Sequence, residues 1–112
     1  MQSAFNVGEV WWAKFPYEDT PDEYTIRPVV VLDETTIGIL SVKVTKHSPR
    51  DFDPYDIPIF YWSKAGLKLA STARVSKTLI LDPNRFKEKI GDLVESDIQN
   101  IKKAYMEYIT SH

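Results

Sequence analysis

The sequence predicts a mainly β fold: a small SH3- or OB-like barrel that carries one α-helix at its C-terminal end. Short runs rich in β-branched and aromatic residues succeed one another between turn signals, enough for five to seven strands. A sustained helical period is seen at the end of the chain. A length of 112 residues suits one hydrophobic core, so residues 1–112 read as a single domain.

In chain order, Val7 to Phe15 (VGEVWWAKF) is a strand broken by Pro16. Trp11 and Trp12 alternate across it, so one faces the core and the other faces out, to cap the sheet, fill an interface or stack on a base. Pro16 to Ile26 is polar and acidic and reads as a loop of functional length. Pro28 to Leu32 (PVVVL) is a short apolar run, the pattern of a strand buried on both faces, with proline tolerated at its start. From Thr36 to Thr45 the second half alternates: Leu40, Val42 and Val44 point one way, and Ser41, Lys43 and Thr45 form an exposed polar face.

Lys46 to Pro54 reads as a loop, and Asp56 to Trp62 as a strand. WSKAGL is a turn or short helix, Ala70 to Leu81 one or two strands, and Asp82-Pro83-Asn84 a turn. The closing helix has a capping-box pattern in Ser96 and Gln99, with Asp97 in its first turn. Ile98, Ile101, Tyr105, Tyr108 and Ile109 share one face.

Composition narrows the function classes. At 43% hydrophobic and 27% charged residues, the chain has the balance of a folded domain rather than a disordered one. No apolar run approaches the roughly 20 residues of a membrane helix, and Met1 to Val7 lacks the pattern of a secretory signal. Without cysteine there is no disulfide framework and no thiolate metal site, so a reducing cytoplasm is the expected address. Asp51, Asp53 and Asp56 lack the glycine and glutamate of a calcium loop and read as a polar turn. With its two histidines far apart, the chain predicts no zinc site and no cofactor.

A net charge of −2 gives no global basic footprint, but charge is locally sorted. Lys43 to Arg50 (KVTKHSPR) holds Lys43, Lys46 and Arg50 with His47 and no acid. Glu18 to Glu23 (EDTPDE) holds four acids and no base.

The order of VGEVWWAKFP, IRPVVVL, VKVTKHS, YWSKAGLKLAS, ARVSKTLIL and KIGDL, followed by the terminal helix, resembles the MazF/PemK family of toxin–antitoxin ribonucleases over nearly the whole chain. The resemblance implies a MazF/PemK/CcdB-like barrel and sequence-specific, metal-independent cleavage of single-stranded RNA through the neighbouring 2′-hydroxyl. It also implies a homodimer and inhibition by a cognate antitoxin. The family's catalytic arginine and threonine match Arg27 and Thr45. Lys43, Lys46, His47, Ser71, Arg74 and Lys77 are the expected substrate-binding residues, since the 71–77 strand often lines the RNA groove in this family. The acidic loop before Arg27 departs from the pattern and would repel a phosphate.

The residue types fit that chemistry. Arg27 offers a planar fork for phosphate oxygens, and Thr45 a hydroxyl on a rigid strand end. Arginine is a poor general base, which leaves His47, a water or a carboxylate of the 18–23 loop for that role. Besides an inactive toxin homologue kept for antitoxin binding, two other readings predict no RNA cleavage. One is a gyrase-poisoning toxin of the CcdB kind, disfavoured by a terminal YMEYITSH without tryptophan. The other is a non-catalytic SH3-like module that binds through Trp12, Tyr17 and Tyr24.

Overall fold

Six strands and one long helix account for most of the chain: β1 (Glu9–Pro16), β2 (Tyr24–Thr35), β3 (Gly38–Thr45), β4 (Asp56–Ile59), β5 (Ser71–Leu81), β6 (Phe86–Asp92) and α1 (Glu95–Ser111). This computed structural model describes residues 4–111; the start of the Met1–Val7 stretch and His112 lie outside the described residues. The strands form one antiparallel sheet in the order β4-β5-β3-β2-β1-β6. The mainly β class with a C-terminal helix is as the sequence predicts. No described helix is long and apolar enough to cross a membrane.

Both faces of the sheet are packed. Val10, Val30, Val42, Val44, Ile59, Ala73 and Val75 form the larger core with Ile101 and Ala104 of α1. Ala13, Phe15, Val29 and Leu81 form a smaller one, joined by Trp11 and Phe86. The run Val29 to Leu32 is buried throughout, as its lack of alternation predicts. The Ser41–Lys43–Thr45 face, expected to be exposed, is instead closed: Ser41 and Thr45 are buried and Lys43 is half-buried. β5 pairs with all three, β2 pairs with Ser41 and Lys43, and the smaller core packs on this face.

The ladder has two edges, β4 and β6, and the turn segment that follows β4 packs against β6. Gly66 has φ +89°, and a Cβ there would stand 2.7 Å from the Ile90 carbonyl oxygen; one at Gly91 would run into the Ala65 carbonyl oxygen. The glycines of WSKAGL and KIGDL, far apart in sequence, therefore let two backbones touch.

Several boundaries differ from expectation. Pro16 ends no strand early; it is the last residue of β1 and faces Tyr24, so the loop shrinks to residues 17–23. Pro28 lies inside β2 rather than at its start, because polar and exposed residues on either side also join the ladder. Residues 36–37 form a tight turn outside β3, and β4 ends at Ile59, where turns take over. β5 is one strand, with a wide bulge. Val42 faces Thr78 while Lys43 faces Arg74, so residues 75–77 have no opposite number on β3. β6 escapes the sequence pattern because its lysines and glutamate are exposed along an edge.

The capping box does not form. α1 begins at Glu95, and Gln99 Nε2 donates to Glu95 Oε1 at 2.6 Å. Ile98, Ile101, Tyr105 and Tyr108 pack on the core as the periodicity predicts, but Ile109 is exposed and Ala104 takes a buried place. Asp97 is buried in the first turn, where its carboxylate accepts the Phe60 N–H at 3.1 Å and the Tyr61 N–H at 3.0 Å. This contact ties the helix to the end of β4.

Replacing that acceptor strands two backbone donors. Asp97→Ala is expected to lower unfolding free energy by about 2–4 kcal/mol, and Asp97→Asn by less because one carbonyl oxygen remains. Urea denaturation followed by tryptophan fluorescence checks this; equal losses from both substitutions would contradict it.

Candidate active site

The β2–β3 hairpin opens at one end for a reason written in the sequence. Gly8 N donates to Val31 O at 2.8 Å, so the odd residues of this part of β2 direct their backbone groups toward β1 and the even ones toward β3. The β2–β3 ladder ends at Val29↔Lys43, and one further step sets Pro28 opposite Val44. Proline has no N–H to give. The Val44 carbonyl instead accepts from Arg27 Nη1 at 3.4 Å.

Next in register, Arg27 faces the end of β3 where Thr45 stands, on the sheet face that also carries Lys43 and Arg74. Two cavities meet at Arg27. One, of about 540 Å³, draws Arg27 and Thr45 from one face of the sheet and Trp12, Pro28 and Val44 from the other, because no ladder separates them there; Lys46, His47, Leu69 and Ser71 complete its rim. The second, of about 450 Å³, is lined by Phe15, Tyr17, Glu18, Arg27, Lys43 and Lys77. Of the residues expected from sequence, Arg74 lines neither cavity, although it lies across the ladder from Lys43.

Among the described residues Arg27 does not pair with the acids of the 18–23 loop, and the one hydrogen bond of its side chain is to the Val44 carbonyl. Burial, then the Arg74 charge, holds its pKa below the ordinary value, and it stays protonated nonetheless. Arg27 Nε and Arg74 Nε are both shielded from solvent and meet no hydrogen-bond acceptor among the described residues. Such donors cost about 1–3 kcal/mol each when left unmade.

Thr45 Oγ1 accepts the His47 backbone N–H at 3.3 Å, which leaves the hydroxyl proton free for donation. His47 itself and Lys46 are exposed. Ser71 Oγ donates to Leu69 O at 2.8 Å and so retains acceptor capacity. Lys77 is ion-paired with Glu18, which brings the acidic loop to the rim of the second cavity. The hydrogen bond from Lys77, then its charge, lowers the Glu18 pKa.

The sequence reading missed a brace beneath these cations. Arg50 Nε donates to Asp56 Oδ2 at 2.8 Å and Arg50 Nη2 to Asp53 Oδ2 at 2.9 Å; Ser76 in the bulge donates to Asp53 at 2.7 Å. Asp56 Oδ2 lies 3.9 Å from Arg74 Nε, an ion pair but not a hydrogen bond. The three-residue spacing of Asp53 and Asp56 after Arg50 is the one sequence signal of it. Among the described residues no group of three acidic or histidine side chains could hold a metal ion.

A family described as "PemK-like, MazF-like toxin of type II toxin-antitoxin system" matches residues 6–109. No curated protein matches the chain. Among solved structures, MazF from Deinococcus radiodurans is 15% identical with a TM-score of 0.74, over 97% of this chain and 99% of that one. The Mycobacterium tuberculosis toxin MazF-mt6 is 17% identical with a TM-score of 0.70, over 91% and 96%. A mycobacterial endoribonuclease in complex with its cognate antitoxin is 14% identical with a TM-score of 0.73, over 96% of each chain.

Asp56 generates a prediction about pH. Burial pushes its pKa up, but the hydrogen bonds and charge of Arg50, with the charge of Arg74, outweigh this and hold it below its ordinary 3.8. A lowered carboxylate stabilises the fold above its unfolded pKa, and that stabilisation is lost as pH falls through the folded pKa. Asp56→Asn should therefore cost about 2–3 kcal/mol at neutral pH, and its deficit against wild type should shrink toward about pH 3. Paired urea curves at the two pH values test this; a deficit that grows in acid would refute it.

Proposed function

The chain belongs to the PemK-like, MazF-like toxin family of type II toxin–antitoxin systems, and from that premise we propose that it is a sequence-specific, metal-independent endoribonuclease of the cytoplasm. Its substrate is single-stranded mRNA, cut through the 2′-hydroxyl next to the scissile phosphate. The observation that carries this reading is a pair of half-buried arginines whose shielded Nε atoms meet no acceptor among the described residues, near a threonine hydroxyl that accepts one backbone N–H, where the β2–β3 hairpin opens.

In this reading Arg27 clamps the scissile phosphate, and Thr45 donates to one of its non-bridging oxygens. Both strengthen as the phosphorane-like transition state gathers charge. Arg74 adds positive charge on the same face, a setting that attracts phosphate and repels divalent cations. The first cavity, walled by Trp12, Pro28, Leu67 and Leu69, suits the flat apolar face of a nucleobase. Lys46, His47 and Ser71 line its rim and supply polar contacts for the flanking nucleotide.

The same surface suits an antitoxin segment that is extended, acidic and apolar, because such a segment satisfies the cations and fills the cavity together. A mycobacterial endoribonuclease of this fold, solved with its cognate antitoxin, supports such a partner. We extend the family expectation of a homodimer to this chain.

The test is incubation of a long unstructured RNA with purified protein in excess EDTA, with fragment ends mapped. Discrete cuts leaving 2′,3′-cyclic phosphate and 5′-hydroxyl ends are expected. Arg27→Ala should slow them about 10²–10³-fold and Thr45→Ala about 10-fold or more. Intact RNA with a folded wild type would instead favour a non-catalytic binding role.

A further inference from the structure

The Arg27–Thr45 pair stabilises charge, yet neither member readily takes a proton from the 2′-hydroxyl. The groups around the second cavity narrow the choice of base. Glu18 is exposed, ion-paired with Lys77 and lowered in pKa, which makes it a weak base. His47 is exposed and lines the first cavity, as Thr45 does, so the pH profile must separate it from Lys43. Tyr17 stands half exposed at the rim. Lys43 lies in the cavity wall with Arg27.

Lys43 has the surroundings of a base. It projects from the middle of the sheet, two residues before Thr45, with Val29 opposite it on β2 and Arg74 opposite it on β5. Its Nζ lies over the smaller core, 5.9 Å from the centre of the Phe15 ring, at the outer limit of a cation–π contact. No acceptor for its protons is found among the described residues. The charged groups facing it are Arg27 from β2, Arg74 and Lys77 from β5, and Glu18 from the 17–23 loop. Asp56 of β4 is engaged by Arg50 and Arg74 instead.

We infer that Lys43 is the general base of the cleavage step, its uncharged amine taking the proton of the attacking 2′-hydroxyl. The inference rests on the ribonuclease reading above. The 2′-oxygen forms its bond to phosphorus while its proton passes to Lys43 Nζ. The bond from phosphorus to the 5′-oxygen breaks, and that oxygen leaves with the bonding pair and takes a proton from water. Lys43 returns its proton to the hydroxide formed, which restores the amine. Burial first, then the charges of Arg27 and Arg74, lowers the Lys43 pKa and favours the amine; Glu18 opposes this and Lys77 reinforces it. The cations that clamp the phosphate thus also prepare the base.

The deciding experiment measures kcat and KM on a short RNA bearing the mapped cut site, across the pH range, for wild type and Lys43→Arg. Arginine keeps the charge but cannot act as base. The chain has no cysteine, so Lys43→Cys can be alkylated at that one thiol with 2-bromoethylamine to give thialysine, whose amine is more acidic than lysine's. Expected are a wild-type rate that rises with pH along a single acid limb, and a loss of about 10²–10⁴-fold in kcat for Lys43→Arg. Binding of a 2′-deoxy analogue should persist in that variant. The thialysine protein should regain activity with the limb moved to lower pH, and it decides the matter if Lys43→Arg fails to fold. A Lys43→Arg rate within a few-fold of wild type, or a limb unmoved in thialysine, overturns the inference and leaves the nuclease reading standing. A wild type that leaves RNA intact overturns both.

Discussion

A missing N–H organises this molecule. At position 28 the β2 backbone turns toward β3, where a donor would ordinarily serve the Val44 carbonyl, and proline has none. The ladder stops one residue short, Arg27 reaches across to take that carbonyl, and the strands part. From the parting come a cavity that reaches both faces of the sheet, the approach of Arg27 to the end of β3, and access to a threonine that would otherwise stay closed within a ladder. The Arg-Pro pair is thus one device: the proline opens the hairpin and the arginine occupies the opening.

Like charges gathered on one face cost stability, and the fold contains that cost from beneath. Arg27, Lys43 and Arg74 share the face with one fully buried acid, Asp56, held mainly by Arg50. Arg74 therefore feels a nearby negative charge without spending its hydrogen bonds on it. The bulge at residues 75–77 contributes twice. Ser76 reaches the Asp53 side of the brace, and Lys77 turns to the rim, where Glu18 meets it. The acidic loop that would repel a phosphate thus engages Glu18 with Lys77, and among the described residues no acid pairs with Arg27.

How much of this was legible in the sequence depends on the range of the interaction. Val29 to Leu32 and the Ile98–Ile101–Tyr105–Tyr108 stripe could be read directly, because burial leaves a local periodic trace. β6 could not, since an exposed edge strand of lysine and glutamate has no apolar alternation. Pro28 was misplaced because a proline inside an apolar run looks like a strand start. Arg27 and Thr45 were legible only through the family resemblance; their meeting depends on a register that starts at the turn of residues 36–37. The Glu18–Lys77 pair and the crossing of Arg74 to Asp56 are long-range, and nothing in a linear pattern announces them.

The seam between β4 and β6 separates two kinds of change. Arg27, Thr45 and Lys43 stand on paired strands, where a shifted residue disturbs the whole register. Gly66, Leu67, Leu69 and Ile90, the far wall of the first cavity, stand at or beside a junction where the backbones touch and Ala65, Leu67 and Ile90 pack on the core. Substitutions at Leu67 and Leu69, which lie outside every strand, reshape the cavity while the register stays intact. A lineage built on this frame can therefore revise what it recognises one side chain at a time and keep its chemistry inherited whole.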